Sequence, residues 1–364
     1  MDYRYIAFDP KQAAVDRRME ELRKLFQELL LRTGGEVEDA LKWLQQVATR
    51  YSLFDDELSF GDFVRAMQRE ETIRRVANGF EVTTKGAGMI RKDALREIFA
   101  GLGKDGAGDH RVVHSGAGTE RLPETRAYQF GDPISSIDVG ASLRNAMRRG
   151  GIDDLQMGEE DLEVHETEHL SSCATVLLVD ISHSMILYGE DRITPAKKVA
   201  MALCELIKTQ YPKDALFVVT FGDEANQVPL ESLPFISVGP FHTNTRAALQ
   251  MARELLRKSK RSNRQIIMIT DGKPSALTER NGQVYKNSVG LDRRVVSKTL
   301  EEASACRRYG IPVTTFMLTE DPVLVDFVDE FTKANKGRAY YTSPTNLGSF
   351  LLVDFLRNRR RRVN

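Results

Sequence analysis

Three short segments hold the residue types best suited to chemistry. Asp180-Ile181-Ser182-His183-Ser184, a D-x-S-x-S spacing, closes one apolar run, and Thr270-Asp271-Gly272 closes another. Between them, His242-Thr243-Asn244-Thr245 stands just before a helical pattern. Together they offer two carboxylates, two serine hydroxyls and a threonine hydroxyl. All are hard oxygen donors, and no imidazole or thiolate is needed. Such a set suits an octahedral Mg²⁺, or Mn²⁺, that keeps some of its waters, and does not suit zinc. Two carboxylates nearly neutralise the ion, and neutral hydroxyls leave it electrophilic. One position then stays open for water or for an Asp or Glu from a partner.

Other chemistries fare worse. His165-Glu166-Thr167-Glu168-His169 matches H-E-x-x-H, but a zinc protease needs that motif on a helix so that both imidazoles share a face. Here Leu162 and Val164 alternate as in a strand, so no zinc site is expected. His183 between the two serines is expected to point away from them, which leaves neither serine a base and argues against nucleophilic catalysis. His110 and His114 read as loop residues. No G-x-x-x-x-G-K-[ST] occurs, so the chain is not expected to hydrolyse ATP by itself. Cys173, Cys204 and Cys306 are unclustered and sit in apolar segments, which argues for a reducing compartment without a disulfide scaffold.

The elements around these residues follow from periodicity. From Ser172 onward, β-rich runs alternate with helical patterns. Strands are expected at Ala174–Asp180, Leu216–Phe221, Gln227–Leu230, Gln265–Thr270, Pro312–Leu318 and Arg338–Thr342. Helices are expected at 194–210, 244–258, 291–309, 322–334 and 346–358. Val176-Leu177-Leu178-Val179 and Ile266-Ile267-Met268-Ile269 are apolar throughout, as strands covered on both faces must be. The alternation implies an α/β fold with a doubly wound, mainly parallel sheet. In such folds ligands gather at the carboxyl ends of strands, where the three segments fall.

Upstream, Val15, Met19, Leu22, Phe26 and Leu29 line one face of a helix that Thr33-Gly34-Gly35 ends. Ala40, Leu41, Leu44 and Val47 continue a second helix, with further helices near 60–77 and 89–100. A glycine-rich stretch runs from Gly101 to Gly118, an extended segment follows at Tyr128–Pro133, and a short helix lies near Val139–Arg149. From Gly150 to Asp191 there is no Lys or Arg, while Asp153, Asp154, Glu159, Glu160, Asp161, Glu163, Glu166 and Glu168 crowd its first half. The expected division is a helical domain at 1–104, a glycine-rich then acidic connector at 105–171, the α/β domain at 172–358 and a basic tail at 359–364.

Composition bounds the function. Lys+Arg and Asp+Glu are 52 each in 364 residues, so the chain as a whole lacks the cation surplus of a nucleic-acid coat or a polybasic membrane binder. Its apolar runs are too short to span a bilayer, and its first residues lack the pattern of a secretory signal. Arg357-Asn358-Arg359-Arg360-Arg361-Arg362 is a local exception. It reads either as a solvated helix end or as a contact for phosphates or an acidic groove.

Residues 172–358 resemble a von Willebrand factor A (VWA) domain, and the oxygen cluster resembles its metal-ion-dependent adhesion site. That resemblance implies metal ligation by Asp180, Ser182, Ser184, Thr243 and Asp271, the serines and threonine through hydroxyls and the carboxylates directly or through water. It selects Thr243 over Thr245 because the family's threonine lies six residues before the leucine of an Ala-Leu pair, here Leu249. His242 departs from the glycine common at that position. Thr270-Asp271-Gly272-Lys273-Pro274, Thr315-Phe316-Met317-Leu318, Thr342-Ser343-Pro344, Ala94-Leu95-Arg96-Glu97-Ile98-Phe99 and Tyr128-Gln129-Phe130-Gly131-Asp132-Pro133 are similar to bacterial cytosolic VWA proteins of the magnesium-chelatase D-subunit and CoxE-like group. The resemblance implies a cytoplasmic, non-catalytic, Mg²⁺-dependent adaptor for a MoxR-type or chelatase-I-type AAA+ ATPase, with a client offering an Asp or Glu to the metal. Alternatives are a subunit of an ATP-dependent metal chelatase, although the AAA+-like N-terminal domain of a full D subunit is missing, and a nucleic-acid-associated VWA protein using the terminal arginines.

Overall fold

The computed structural model describes residues 10–77, 79–102, 120–129, 137–151, 157–168, 172–239, 241–261, 263–319, 321–344 and 346–361. The glycine-rich stretch and most of the expected extended segment at Tyr128–Pro133 lie outside them.

The sheet grows from β5 (Cys173–Asp180), which is buried at every residue. Its order is β12 (Arg338–Tyr341), β11 (Val313–Met317), β8 (Asn263–Thr270), β5, β6 (Ala215–Phe221) and β7 (Ala225–Val228). All neighbours are parallel except the edge pair β6–β7. A parallel sheet needs both faces covered, and the alternation along β5 shows how that is met. Leu177 and Val179 enter one core with α6 (Ile193–Gln210) and α10 (Leu347–Arg361). Ala174, Val176 and Leu178 enter the other, under α7 (Thr245–Lys258), α8 (Arg293–Arg308) and α9 (Pro322–Asn335). The expected strands and helices of this half are all present, and the architecture is α/β with a mainly parallel sheet.

Helix starts are fixed by side-chain caps. Asn244 accepts from Ala247 N at 3.1 Å ahead of α7, Asp292 caps α8, and Asp321 precedes Pro322 at the start of α9. The buried Asn335 amide joins α9 to its surroundings, accepting from Val313 N at 2.7 Å and donating to Ala303 O at 2.9 Å.

The N-terminal region is largely helical: α1 (Pro10–Arg32), α2 (Val37–Arg50), α3 (Phe60–Arg69) and α4 (Thr84–Leu102). Phe26 and Phe63 meet edge to face, centroids 5.6 Å apart, in a core continuous with the α6 side of the sheet. The helix expected across 60–77 is shorter. Its capping box, Ser59 with Asp62, starts α3, but after Arg69 the chain turns into an antiparallel hairpin of β1 (Ile73–Val76) and β2 (Gly79–Val82). Gly79 at φ +129° supplies the left-handed backbone that a tight hairpin needs.

Between the two halves, β3 (Glu120–Ala127) pairs antiparallel with β4 (Glu163–Glu168), and α5 (Val139–Gly150) is tied to them. Ser142 Oγ accepts from Glu163 N at 2.9 Å, and Arg149 clasps Asp161 through two bonds of 3.0 and 2.7 Å. His165 through Glu168 of the H-E-x-x-H motif therefore lie on a strand and not on a helix. His169 lies outside the described residues. None of the described helices is long and apolar enough to cross a membrane.

Candidate metal centre

β5 and β8 are neighbours in register, Val179 opposite Ile269, so the residues that follow them emerge side by side at one sheet edge. Asp180 is fully buried there. Its Oδ1 accepts from Ser182 N at 2.8 Å, and its Oδ2 accepts from the Thr270 hydroxyl. The Thr270 hydroxyl in turn accepts from Gly272 N at 3.1 Å, which shapes the turn after β8. Ser182 Oγ and Ser184 Oγ stand 3.0 Å apart, and Ser184 Oγ donates to Asp271 Oδ1 at 2.7 Å.

Thr243 reaches the same place from the loop before α7. Its backbone is clamped to Ser275, which accepts from Thr243 N at 3.0 Å through its hydroxyl and donates its own N–H to Thr243 O at 2.9 Å. Gly272 marks where the side chains converge. A Cβ at Gly272 would lie 2.6 Å from Thr243 Oγ1, 3.1 Å from Ser184 Oγ and 3.2 Å from Asp180 Oδ2. Three oxygens from two segments, facing the glycine of the third, thus line a cradle that only glycine leaves open. Thr243 faces it, while Thr245 is the first residue of α7.

Burial raises both carboxyl groups above the ordinary range, and for Asp180 the nearby charge of Asp271 adds to the effect. For Asp271 the Ser184 hydroxyl and the Arg192 guanidinium act in the opposite direction. A buried pair of like charges is costly to ionise, and a divalent cation between them removes that cost. Among the described residues, no group of three or more His, Cys, Asp or Glu could hold a metal ion. The cluster has only two such side chains, and its other donors are hydroxyls. The residues present therefore fit a hard cation with oxygen ligands.

Other sequence candidates lie apart. The His183 side chain is exposed, and His242 is half-buried beside Asp223, its Nε2 3.1 Å from Ser288 Oγ. Cys173, Cys204 and Cys306 are buried thiols, the last two pushed up to about 12 by burial.

Arg192 is the residue that sequence reasoning did not find. Its Nη1 donates to Asp271 Oδ2 at 2.7 Å, from a position 79 residues away in the chain. One signal was available, since Arg192 ends the long stretch from Gly150 that carries no cation. Around the cluster, Ile186 and Phe241 are exposed apolar residues on the loops that carry the ligand candidates.

A mainly parallel sheet between two helical layers, with this oxygen cluster at its carboxyl edge, defines a vWA domain. The match to known proteins agrees: residues 173–356 match the vWA domain of Rv0959-like proteins, and residues 120–167 match the third domain of the same proteins. The chain belongs to the Rv0959-like vWA family. It is 32% identical over 317 residues to the uncharacterized protein Rv0959 of Mycobacterium tuberculosis, which covers 84% of this chain and 46% of that protein. The same figures hold for Mb0984 of Mycobacterium bovis. The chain thus spans about half the length of the curated relatives it matches.

Solved structures of similar fold include the vWF domain of the type V pili tip protein Mfa5 from Porphyromonas gingivalis, with 12% identity and a TM-score of 0.40 over 53% of this chain and 97% of that one. Another is BatB from Bacteroides thetaiotaomicron, with 16% identity and a TM-score of 0.38 over 52% of this chain and all of that one.

Proposed function

We propose that this protein is a non-catalytic adaptor that binds partners through a Mg²⁺ ion, or Mn²⁺, held by Asp180, Ser182, Ser184, Thr243 and Asp271. The observation that carries the reading is the cradle at Gly272, where Thr243 Oγ1, Ser184 Oγ and Asp180 Oδ2 surround one point. A bound ion would supply an electrophilic position for an acidic side chain. The chain's own residues hold that position, fix its donors and keep water away from the two carboxylates.

A non-catalytic role is supported by His183, whose exposed side chain gives Ser182 and Ser184 no base. The partner class follows from the sequence resemblance to CoxE-like and chelatase-D-like proteins: a MoxR-type or magnesium-chelatase-I-type AAA+ ATPase in the cytoplasm, or its client. The exposed apolar residues Ile186 and Phe241 would exclude water around an acidic contact.

The test is thermal. A ligand bound only by the folded state adds RT ln(1 + [L]/Kd) to stability. Millimolar Mg²⁺ or Mn²⁺ is expected to raise the melting temperature of the wild type, EDTA to reverse the rise, and Asp180→Ala or Asp271→Ala to abolish it. Melting that is indifferent to all three reagents refutes the metal site.

A further inference from the structure

Both oxygens of Asp271 are already engaged. Oδ1 receives the Ser184 hydroxyl at 2.7 Å, and Oδ2 receives Arg192 Nη1 at 2.7 Å. The Asp271 side chain is 0% exposed, so this arginine is a counter-charge to a carboxylate sealed from water. The rest of the guanidinium faces outward. Its Nε and Nη2 lie 3.0 and 2.8 Å from Glu190 Oε2, on a side chain that is 62% exposed. The Arg192 main chain is pinned too, since its N–H donates at 3.0 Å to the carbonyl of Met185, the residue that follows the D-x-S-x-S segment. Arg192 therefore stands as a plug between a buried acid and an exposed one, held by a segment that also carries ligand candidates.

A metal entering the cradle meets two carboxylates and this third, positive group. Whether the guanidinium stays or leaves, its charge opposes a divalent ion drawn to the same carboxylate, and its bond to Asp271 Oδ2 draws electron density that the metal would otherwise use. We infer that Arg192 is a resident counter-cation that competes with the metal for Asp271. It stabilises the metal-free protein and weakens metal binding, so that occupancy responds to metal concentration and partner. A purely structural arginine would instead support the site and help the metal to bind. The inference rests on the metal-site reading given above.

Titration of the whole 364-residue chain with Mn²⁺, followed by the electron paramagnetic resonance of free Mn²⁺, separates these roles, with melting in EDTA and in Mn²⁺ as a second readout. Removing one unit charge a few ångströms from a divalent ion, even with water-like screening, is expected to tighten Mn²⁺ binding about tenfold or more in Arg192→Gln. The same variant is expected to melt lower than wild type in EDTA and to gain more on adding Mn²⁺. Arg192→Lys keeps the charge and is expected to bind Mn²⁺ within about threefold of wild type, which separates charge from packing. Wild-type binding that depends on Asp180, with no gain or a loss in a folded Arg192→Gln, overturns the competition and leaves the metal site standing. Should Arg192→Gln not fold, Arg192→Lys binding Mn²⁺ tenfold more tightly than wild type overturns it equally. No Asp180-dependent Mn²⁺ binding in any of the proteins overturns the metal site and the competition together.

Discussion

Arg91 and Glu205 face each other 3.5 Å apart where α4 meets α6, and each side chain is only 5% exposed. Arg91 Nη1 also reaches the carbonyl of Leu230 at 3.4 Å, so the guanidinium is satisfied from two directions. Removing one member of a buried pair strands the other in a dry environment and costs about 3–5 kcal/mol, whereas replacing both with apolar residues costs far less. Urea unfolding of Glu205→Ala is therefore expected to show a loss of that order, and Arg91→Met/Glu205→Leu to recover most of it. A Glu205→Ala variant within about 1 kcal/mol of wild type would mean the contact between these helices does not depend on the pair.

Lys197, also on α6, gives the contact with the end of α1 a pH dependence. Its side chain is 2% exposed, and Nζ donates to the carbonyl of Leu31 at the end of α1 and, at 3.0 Å, to that of Ile236. Burial lowers its pKa to about 8, with Asp191 acting the other way, while the unfolded chain keeps a value near 10.5. Between these values the unfolded state holds the extra proton, so stability rises with pH across the window. The cost of the buried ammonium is fully present below about 8. Unfolding free energies measured from pH 7.5 to 10.5 are expected to climb more steeply in wild type than in Lys197→Met. Parallel curves would remove Lys197 as the source.

How much of this could be read in the sequence depended on whether the signal was local. Val176-Leu177-Leu178-Val179 announces a strand covered on both faces because each residue is apolar, and the fold places it at the centre of the sheet. The hairpin at Ile73–Val82 was missed although Asn78-Gly79 is a strong turn signal, because Phe60, Phe63, Val64 and Met67 set a helical period that no Gly or Pro interrupts between Met67 and Gly79. The ligand candidates were found because the turns after β5 and β8 carry compact motifs. Arg192 and the clamp of Ser275 on Thr243 were not, since both are made by segments the fold brings together from far along the chain.

Gly272→Ala tests the cradle without touching a ligand. The residue has no positive φ that would exclude alanine, but the new methyl would lie 2.6 Å from Thr243 Oγ1 and close to Ser184 Oγ and Asp180 Oδ2. The variant is expected to fold with unchanged circular dichroism and to lose the melting rise caused by Mg²⁺. A full rise in Gly272→Ala would place the metal somewhere else.

The H-E-x-x-H segment is expected to carry no zinc. His165 stands on β4, paired with β3, whereas the zinc motif needs its histidines on a helix. Metal analysis of purified protein checks this directly. Stoichiometric zinc that survives purification and disappears in His165→Ala would reverse the conclusion.

The partner contact is expected at the edge defined by Ser182, Thr243 and Asp271. An ionic bond from a metal to an incoming carboxylate is strong only where water is kept out, and Ile186 and Phe241, 44% and 38% exposed, are the nearby apolar surface able to do so. Ser184→Ala or Thr243→Ala should therefore weaken capture of a MoxR-type or chelatase-I-type ATPase, or of its client, by tenfold or more, and EDTA should mimic either change. Ile186→Asp should weaken capture while leaving the Mg²⁺ melting shift in place, because it places a like charge against the incoming acid without altering the donors. Deleting Arg359–Arg362 supplies the control. Those arginines are distant in sequence from every ligand candidate, so their loss should change the salt dependence of binding and leave its metal dependence intact. Capture that survives EDTA, Ser184→Ala and Thr243→Ala unchanged would move the interface away from this edge, and the N-terminal helices α1–α4 would then be the surface to mutate next.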